Sequence, residues 1–299
     1  MNTSFCIDDR FSTTRIAVAS ADKLEVNVPL QGGLRAKGYK KNSWPNKPII
    51  SVIIVVYNRV HVLEDCILSV LRQKYDNVEL IIIDGGSSDG TLDIIRKYDS
   101  CIDYWVSEKD NGIYFAMNKG VELASGDWLY FLGSDDVMLD CLHNVAKHLN
   151  DDKTVYYGDV YLPKSHAIAY HMFTSDKLMR KNIPHQATFY PKSVFSKYKY
   201  NPKYISSADY ELNIRCYNDS NFKYEYTPLL IAIYDQSGFS TLRLDKEFDK
   251  DFLDILKENF TCYQYYKYYF NITVKTYRRS LKAFFRSLLQ GKKRNYAAK

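Results

Sequence analysis

The sequence predicts an α/β fold: a mostly parallel, Rossmann-like central sheet flanked by helices, followed by a helical C-terminal extension. Three observations carry this prediction. The runs 49–57 and 78–83 are almost unbroken β-branched and aliphatic residues, as strands covered on both faces require. Each is followed by apolar residues at helical spacing, and this β-α-β-α order implies parallel pairing with ligands at the carboxyl ends of the strands. Finally, the apolar runs stop at polar residues, Asn58, Asp84 and the adjacent pair Asp135 and Asp136, which parallel pairing gathers on one rim.

Taken in order, residues 1–48 read as a leader punctuated by Gly32, Gly33, Gly38, Pro45 and Pro48, with one alternating segment, Leu24 to Val28, able to add an edge strand. The first buried strand ends at Asn58, and Leu63, Cys66, Ile67, Val70 and Leu71 then mark a helix from about His61. The second strand ends in the polar stretch from Asp84 to Thr91, and a helix begins at Leu92. A short third strand covers Tyr104 to Glu108, and the turn from Lys109 to Gly112 opens a helix from Ile113 to Ala124. The next strand, Trp128 to Leu132, breaks at Gly133 and Ser134 and runs into Asp135 and Asp136. Two adjacent carboxylates, half-buried at a strand end, repel each other unless a cation neutralises them. A hard divalent ion such as Mg²⁺ or Mn²⁺ suits them, since it needs only one or two protein carboxylates beside substrate phosphates. The plainer reading is a solvated turn, where aspartates are common.

Farther on, Val155 to Tyr161 reads as a strand, His185 and Gln186 precede another, and a helix opens near Ser206 with Asp209 in its first turn. The helix dipole favours an ionised carboxylate there. This makes Asp209 either a helix-start residue or a group able to take a proton from a hydroxyl. The C-terminal segment alternates apolar residues (Val274, Tyr277, Leu281, Phe284, Phe285, Leu288) with basic ones at helical spacing. That is the pattern of an interfacial helix on anionic lipid, or of a helix packed on its own domain.

Composition narrows the classes. Nine of the 41 Lys and Arg lie in 275–299, which leaves 32 against 35 Asp and Glu elsewhere. The net +6 therefore belongs to the tail and points to an anionic surface, not to a basic active-site groove. The six cysteines are scattered, without zinc-ligand spacing, and read as small buried hydrophobes of a reducing compartment. Met1 to Arg10 places polar and acidic residues where a signal peptide has its apolar core, and the most apolar run is roughly half a membrane span. The expected location is cytoplasmic, peripheral on the inner membrane face. A dinucleotide-binding Rossmann domain needs a glycine-rich turn after its first strand, yet there is no glycine between Gly38 and Gly85 and no phosphate-binding G-x-x-x-x-G-K-[ST] loop.

In order and spacing, the segment from Ser51 to Asn58, the stretch from Ile83 to Thr91, Asp110-Asn111-Gly112-Ile113-Tyr114, Met117-Asn118-Lys119-Gly120 and Gly133-Ser134-Asp135-Asp136 resemble the family 2 glycosyltransferases of GT-A fold. The resemblance covers roughly residues 49–240, leaving 1–48 as leader and 241–299 as a helical, basic tail. It implies an inverting enzyme of surface-polysaccharide synthesis that moves a hexosyl group from a nucleotide-sugar, a UDP-sugar above all, to a lipid-linked or saccharide acceptor, with Mn²⁺ or Mg²⁺ as cofactor and no nucleic-acid partner. It further implies that Tyr57, Asn58, Asp84, Asp110, Lys119, Asp135 and His185 serve the donor, that Asp136 ligates the metal with Asp135 beside it, and that Asp209 is the catalytic base. The stretch from Gln236 to Ser240 resembles a mobile loop hinged at Gly238. The competing classes are a sugar nucleotidyltransferase and a non-catalytic sugar-nucleotide binder.

Overall fold

The computed structural model describes residues 15–17, 29–236, 244–275, 277, 278 and 282. Its ten-stranded sheet is built around β4 (Ile50–Val56), which pairs in parallel with β5 (Val78–Asp84) on one side and β7 (Trp128–Gly133) on the other. Beyond β5 lies β6 (Tyr104–Ser107), also parallel. The edge is closed by β2 (Leu30–Gly32), antiparallel to β6. An edge strand from the leader is therefore present at 30–32, whereas the expected segment 24–28 lies outside the described residues. A separate pair joins β1 (Arg15–Ala17) to β3 (Tyr39–Lys41).

Alternation along β4 explains the layers. Ile50, Val52, Ile54 and Val56 face one core, packed under α1 (Leu63–Leu71) and α2 (Thr91–Lys97). Ile53 faces the other, under α3 (Ile113–Leu123). Gly120 lets α3 come close, because a Cβ there would lie 2.5 Å from Ile53 Cγ2. Both faces of the parallel strands are thus buried, which is why their sequences are apolar without alternation.

Past β7 the pairing turns mixed. The two-residue β8 (Val137–Met138) leads to the short α4 (Leu142–Val145) and to β9 (Thr154–Leu162), which carries the short β10 (Ala167–Ala169). The short α5 (Ser175–Leu178) and a 3-10 turn at His185–Ala187 precede β11 (Thr188–Pro191), which runs antiparallel to both β7 and β9. After α6 (Lys192–Lys197) and α7 (Ala208–Tyr217), β12 (Lys223–Ile233) lies parallel to β9 and antiparallel to β8. The helix α8 (Lys246–Asn259) packs on α7, and a further helix covers 262–275.

The cysteines differ in part from expectation. Cys66, Cys141 and Cys216 are free and buried, as small hydrophobes are, but Cys262 is exposed and Cys101 is disulfide-bonded. Among the described residues no helix is long and apolar enough to cross a membrane.

Candidate functional site

The carboxyl ends of β4, β5 and β7 open into a cavity of about 770 Å³, a size that suits a nucleotide-sized ligand. Tyr57, Asn58, Asp110, Asp135 and His185 line it with Gln186, the neighbour of His185 already noted in the sequence, as do Arg59, Lys109 and Asp235, which sequence reasoning did not single out. Asn58 adopts a left-handed backbone, φ 51°, a conformation that asparagine tolerates better than most residues. Its Oδ1 accepts from Ser88 N at 2.9 Å and its own N donates to Ser87 Oγ at 2.8 Å. The loops after β4 and β5 are thereby tied together, and Tyr57 stays 59% exposed at the rim.

Two of the expected donor residues sit elsewhere. Asp84 is fully buried beneath the cavity, accepting from Ser87 N at 3.1 Å and from Ser107 Oγ at 2.5 Å. It braces the loop behind the site, and its carboxylate does not reach the cavity wall. Lys119 projects from α3 onto Glu108 in an ion pair and is absent from the cavity lining. Asp110 does line the cavity, and burial raises its carboxyl above the ordinary range despite the Gly112 N–H it accepts at 2.9 Å.

The aspartate pair divides into an outer and an inner member. Asp135 faces the cavity, while Asp136 is 1% exposed behind it. Gln186 Nε2 donates to Asp136 Oδ2 at 2.8 Å, and Asp235 N donates to Oδ1 at 2.8 Å. Burial above all, and then the Asp135 charge, pushes the Asp136 carboxyl up to about 7. Asp135 is raised as well, again mainly by burial, with Arg59 acting in the opposite sense. The two carboxylates converge over Gly133, where an added Cβ would meet Asp136 Oδ2 and Asp135 Oδ1. That cradle of two oxygens suits one hard divalent ion completed by substrate phosphates. Among the described residues no cluster of three or more His, Cys, Asp or Glu forms a closed metal cage.

Asp209 occupies a smaller hollow of about 200 Å³ that shares His185, Gln186 and Tyr234 with the main cavity. At the start of α7 its Oδ1 accepts from Tyr114 Oη and Tyr210 N, each at 2.9 Å. Its Oδ2 accepts from Asn182 Nδ2 at 2.9 Å and lies 3.1 Å from His185 Nδ1. Sequence reasoning missed Tyr114 and Asn182 as partners, because they lie 95 and 27 residues away.

Residues 51–210 match the family model described as glycosyl transferase family 2. The chain belongs to glycosyltransferase family 2. This family 2 glycosyltransferase is 37% identical over 213 residues to a PGL/p-HBAD biosynthesis glycosyltransferase of Mycobacterium tuberculosis, an alignment covering 68% of the chain and 83% of the relative. It is 40% identical over 108 residues to an uncharacterized glycosyltransferase of Haemophilus influenzae, covering 35% and 42% of the two chains. Among solved structures, S. aureus TarS 1-349 in complex with UDP superposes with a TM-score of 0.58 at 15% identity, over 70% of this chain and 64% of that one. The mannosyltransferase PcManGT from Pyrobaculum calidifontis, in complex with GDP-Man and Mn2+, superposes with a TM-score of 0.51 at 17% identity, over 63% and 57%. The chain thus spans just under two thirds of TarS 1-349. These likenesses establish the GT-A fold.

Proposed function

We propose that this family 2 enzyme moves a hexosyl group, with inversion, from a UDP-sugar to a hydroxyl of a lipid-linked or saccharide acceptor in surface-polysaccharide synthesis. The observation that carries the reading is the convergence over Gly133 of the Asp135 carboxylate, on the wall of a nucleotide-sized cavity, and the Asp136 carboxylate behind it. Tyr57, Asn58 and Asp110 hold the nucleoside end of the donor, and Asp84 acts from behind by fixing Ser87. Lys119, paired with Glu108, serves the donor side only by holding the strand-to-helix turn. Asp135 and Asp136 would hold Mn²⁺ or Mg²⁺, which when bound supplies positive charge to the departing diphosphate.

Asp209 performs the proton transfer. Its carboxylate takes the proton of the acceptor hydroxyl as that oxygen bonds to the anomeric carbon, and the bond from that carbon to the nucleoside diphosphate breaks on the opposite face. His185 sits between the two cavities and, through Asp209 Oδ2, orients the base. The GDP-Man and Mn2+ held by PcManGT and the UDP held by TarS support a nucleotide-sugar donor.

The same reading includes an anionic membrane surface. The helix over 262–275 exposes Tyr263, Tyr266, Tyr269 and Phe270, and Tyr277 beyond it is exposed as well. Lys275, Arg278 and Lys282 are exposed too. Tyrosine and basic residues together favour the lipid interface. The residues expected to deepen that contact, Leu281, Phe284, Phe285 and Leu288, lie outside the described residues, as does the loop 237–243 with Gly238. Thermal stabilisation by a panel of nucleotide-sugars, with and without Mn²⁺, tests the reading: a UDP-sugar should stabilise only with the metal, and stabilisation by none would overturn it.

A further inference from the structure

The hollow that holds Asp209 also holds a cation. Lys181 lines it, together with Tyr170, Asn182 and Ser207. The Lys181 ammonium stands 3.9 Å from the centroid of the Tyr170 ring. Among the described residues no carboxylate forms an ion pair with it. Lys177, one helical turn back, donates to the Tyr170 and Met172 carbonyls, and Arg180 lies between the two in sequence. The acid of this segment, Asp176, is engaged by Lys267 at 2.9 Å. Asn182 is also committed, donating to Asp209 and accepting from Asn213. Ser207 Oγ makes no hydrogen bond among the described residues. The hollow is thus lined by a proton acceptor, Asp209, a cation, Lys181, and an uncommitted hydroxyl, Ser207.

We propose that this hollow is the acceptor subsite and that Lys181, with Ser207, selects an acceptor carrying an anionic group, a phosphate or carboxylate, next to the sugar whose hydroxyl meets Asp209. The proposal rests on the glycosyl-transfer reading and adds to it the charge class of the acceptor. A neutral sugar offers the ammonium no counter-charge, and a cationic one is repelled by Lys181. Burial against the aromatic ring also lowers the Lys181 ammonium from its ordinary value, a cost that an anion in the hollow reverses.

The test is calorimetric binding to the full-length chain saturated with UDP and Mn²⁺, using glucose 6-phosphate, glucuronate and glucose as probes. At least one anionic probe should bind about tenfold tighter than glucose, the value of one charged hydrogen bond. Lys181→Met keeps the stem on Tyr170 and removes the charge, so it should abolish that preference; Lys181→Arg should keep it. Glucose 6-phosphate ahead of glucuronate identifies a phosphate as the group, and the reverse a carboxylate. Equal binding of all three probes by the wild type, or an undiminished preference in Lys181→Met, overturns the proposal. Wild-type protein that fails to bind UDP overturns the donor reading instead. The probes are therefore also titrated in chelator without UDP, where the same comparison decides the role of Lys181.

Discussion

Asp209→Asn is the most informative single change, because geometry separates its effect on chemistry from its effect on stability. The carboxylate accepts from four donors, Tyr114 Oη, Tyr210 N, Asn182 Nδ2 and His185 Nδ1. An asparagine keeps one acceptor oxygen and turns an NH₂ group toward two of those donors. His185 can answer by changing tautomer, but Asn182 can flip only by giving up its bond from Asn213. One buried donor left facing a donor costs about 1–3 kcal/mol, a melting shift of several degrees. Loss of the base should cost more, roughly 10²- to 10⁴-fold in turnover, or about 3–5 kcal/mol on the barrier. The assay is initial-rate transfer, paired with calorimetric UDP binding on the same preparation. Transfer should fall at least about a hundredfold while UDP affinity holds. Transfer near the wild-type rate would refute the role of Asp209 and move attention to Glu211, two residues on, which is buried with one carboxylate oxygen unpaired.

Three further outcomes follow from the same geometry. Gly133→Ala drives a methyl group into Asp136 Oδ2 and Asp135 Oδ1, so metal-dependent UDP binding should weaken by about tenfold or more; unchanged titrations would remove Gly133 from the site. The Asp136 carboxyl sits near 7 in the fold against an ordinary 3.8, so the folded state holds a proton that the unfolded chain releases. In chelator, the contribution of Asp136 to stability should therefore be greatest at about pH 4, fall by on the order of a few kcal/mol as pH rises to about 7, and level off above; the difference between thermal melts of wild type and Asp136→Asn checks this, and it should change with pH in that window. Truncation after Thr273 removes all nine tail cations, each contributing on the order of 1 kcal/mol near an anionic leaflet. Co-sedimentation with anionic vesicles should fall sharply and donor hydrolysis persist; if the full-length chain does not sediment, or truncation unfolds it, the tail is a packing element.

The parallel half of the fold was legible because β4, β5 and β7 are buried on both faces, so that apolar runs and the polar residues ending them mark both strand and rim. The mixed half was not. The placement of β11 between β7 and β9 depends on long-range pairing that leaves no local periodicity. Asp135 and Asp136 were legible as a pair, but their division into an outer and an inner carboxylate was not. It is set by Gln186 and by the backbone of Asp235, 50 and 99 residues away. Asp84 and Lys119 show the converse limit. A polar residue at a strand end or helix start can face the ligand or brace the loop behind it, and only the positions of Ser87, Ser107 and Glu108 decide between them. Cys101 was misread for a related reason, since a lone cysteine in sequence carries no sign of its partner.

The most direct measurement is proton NMR of turnover by the wild-type chain with an α-linked UDP-sugar and Mn²⁺, following the anomeric signal of the first product formed. Inverting transfer predicts that the new linkage appears as the β-anomer, with UDP released in equal amount and both signals abolished by chelation. An α-linked product, release of a sugar phosphate in place of UDP, or undiminished turnover in chelator would contradict a metal-assisted, single-displacement glycosyl transfer at Asp135, Asp136 and Asp209.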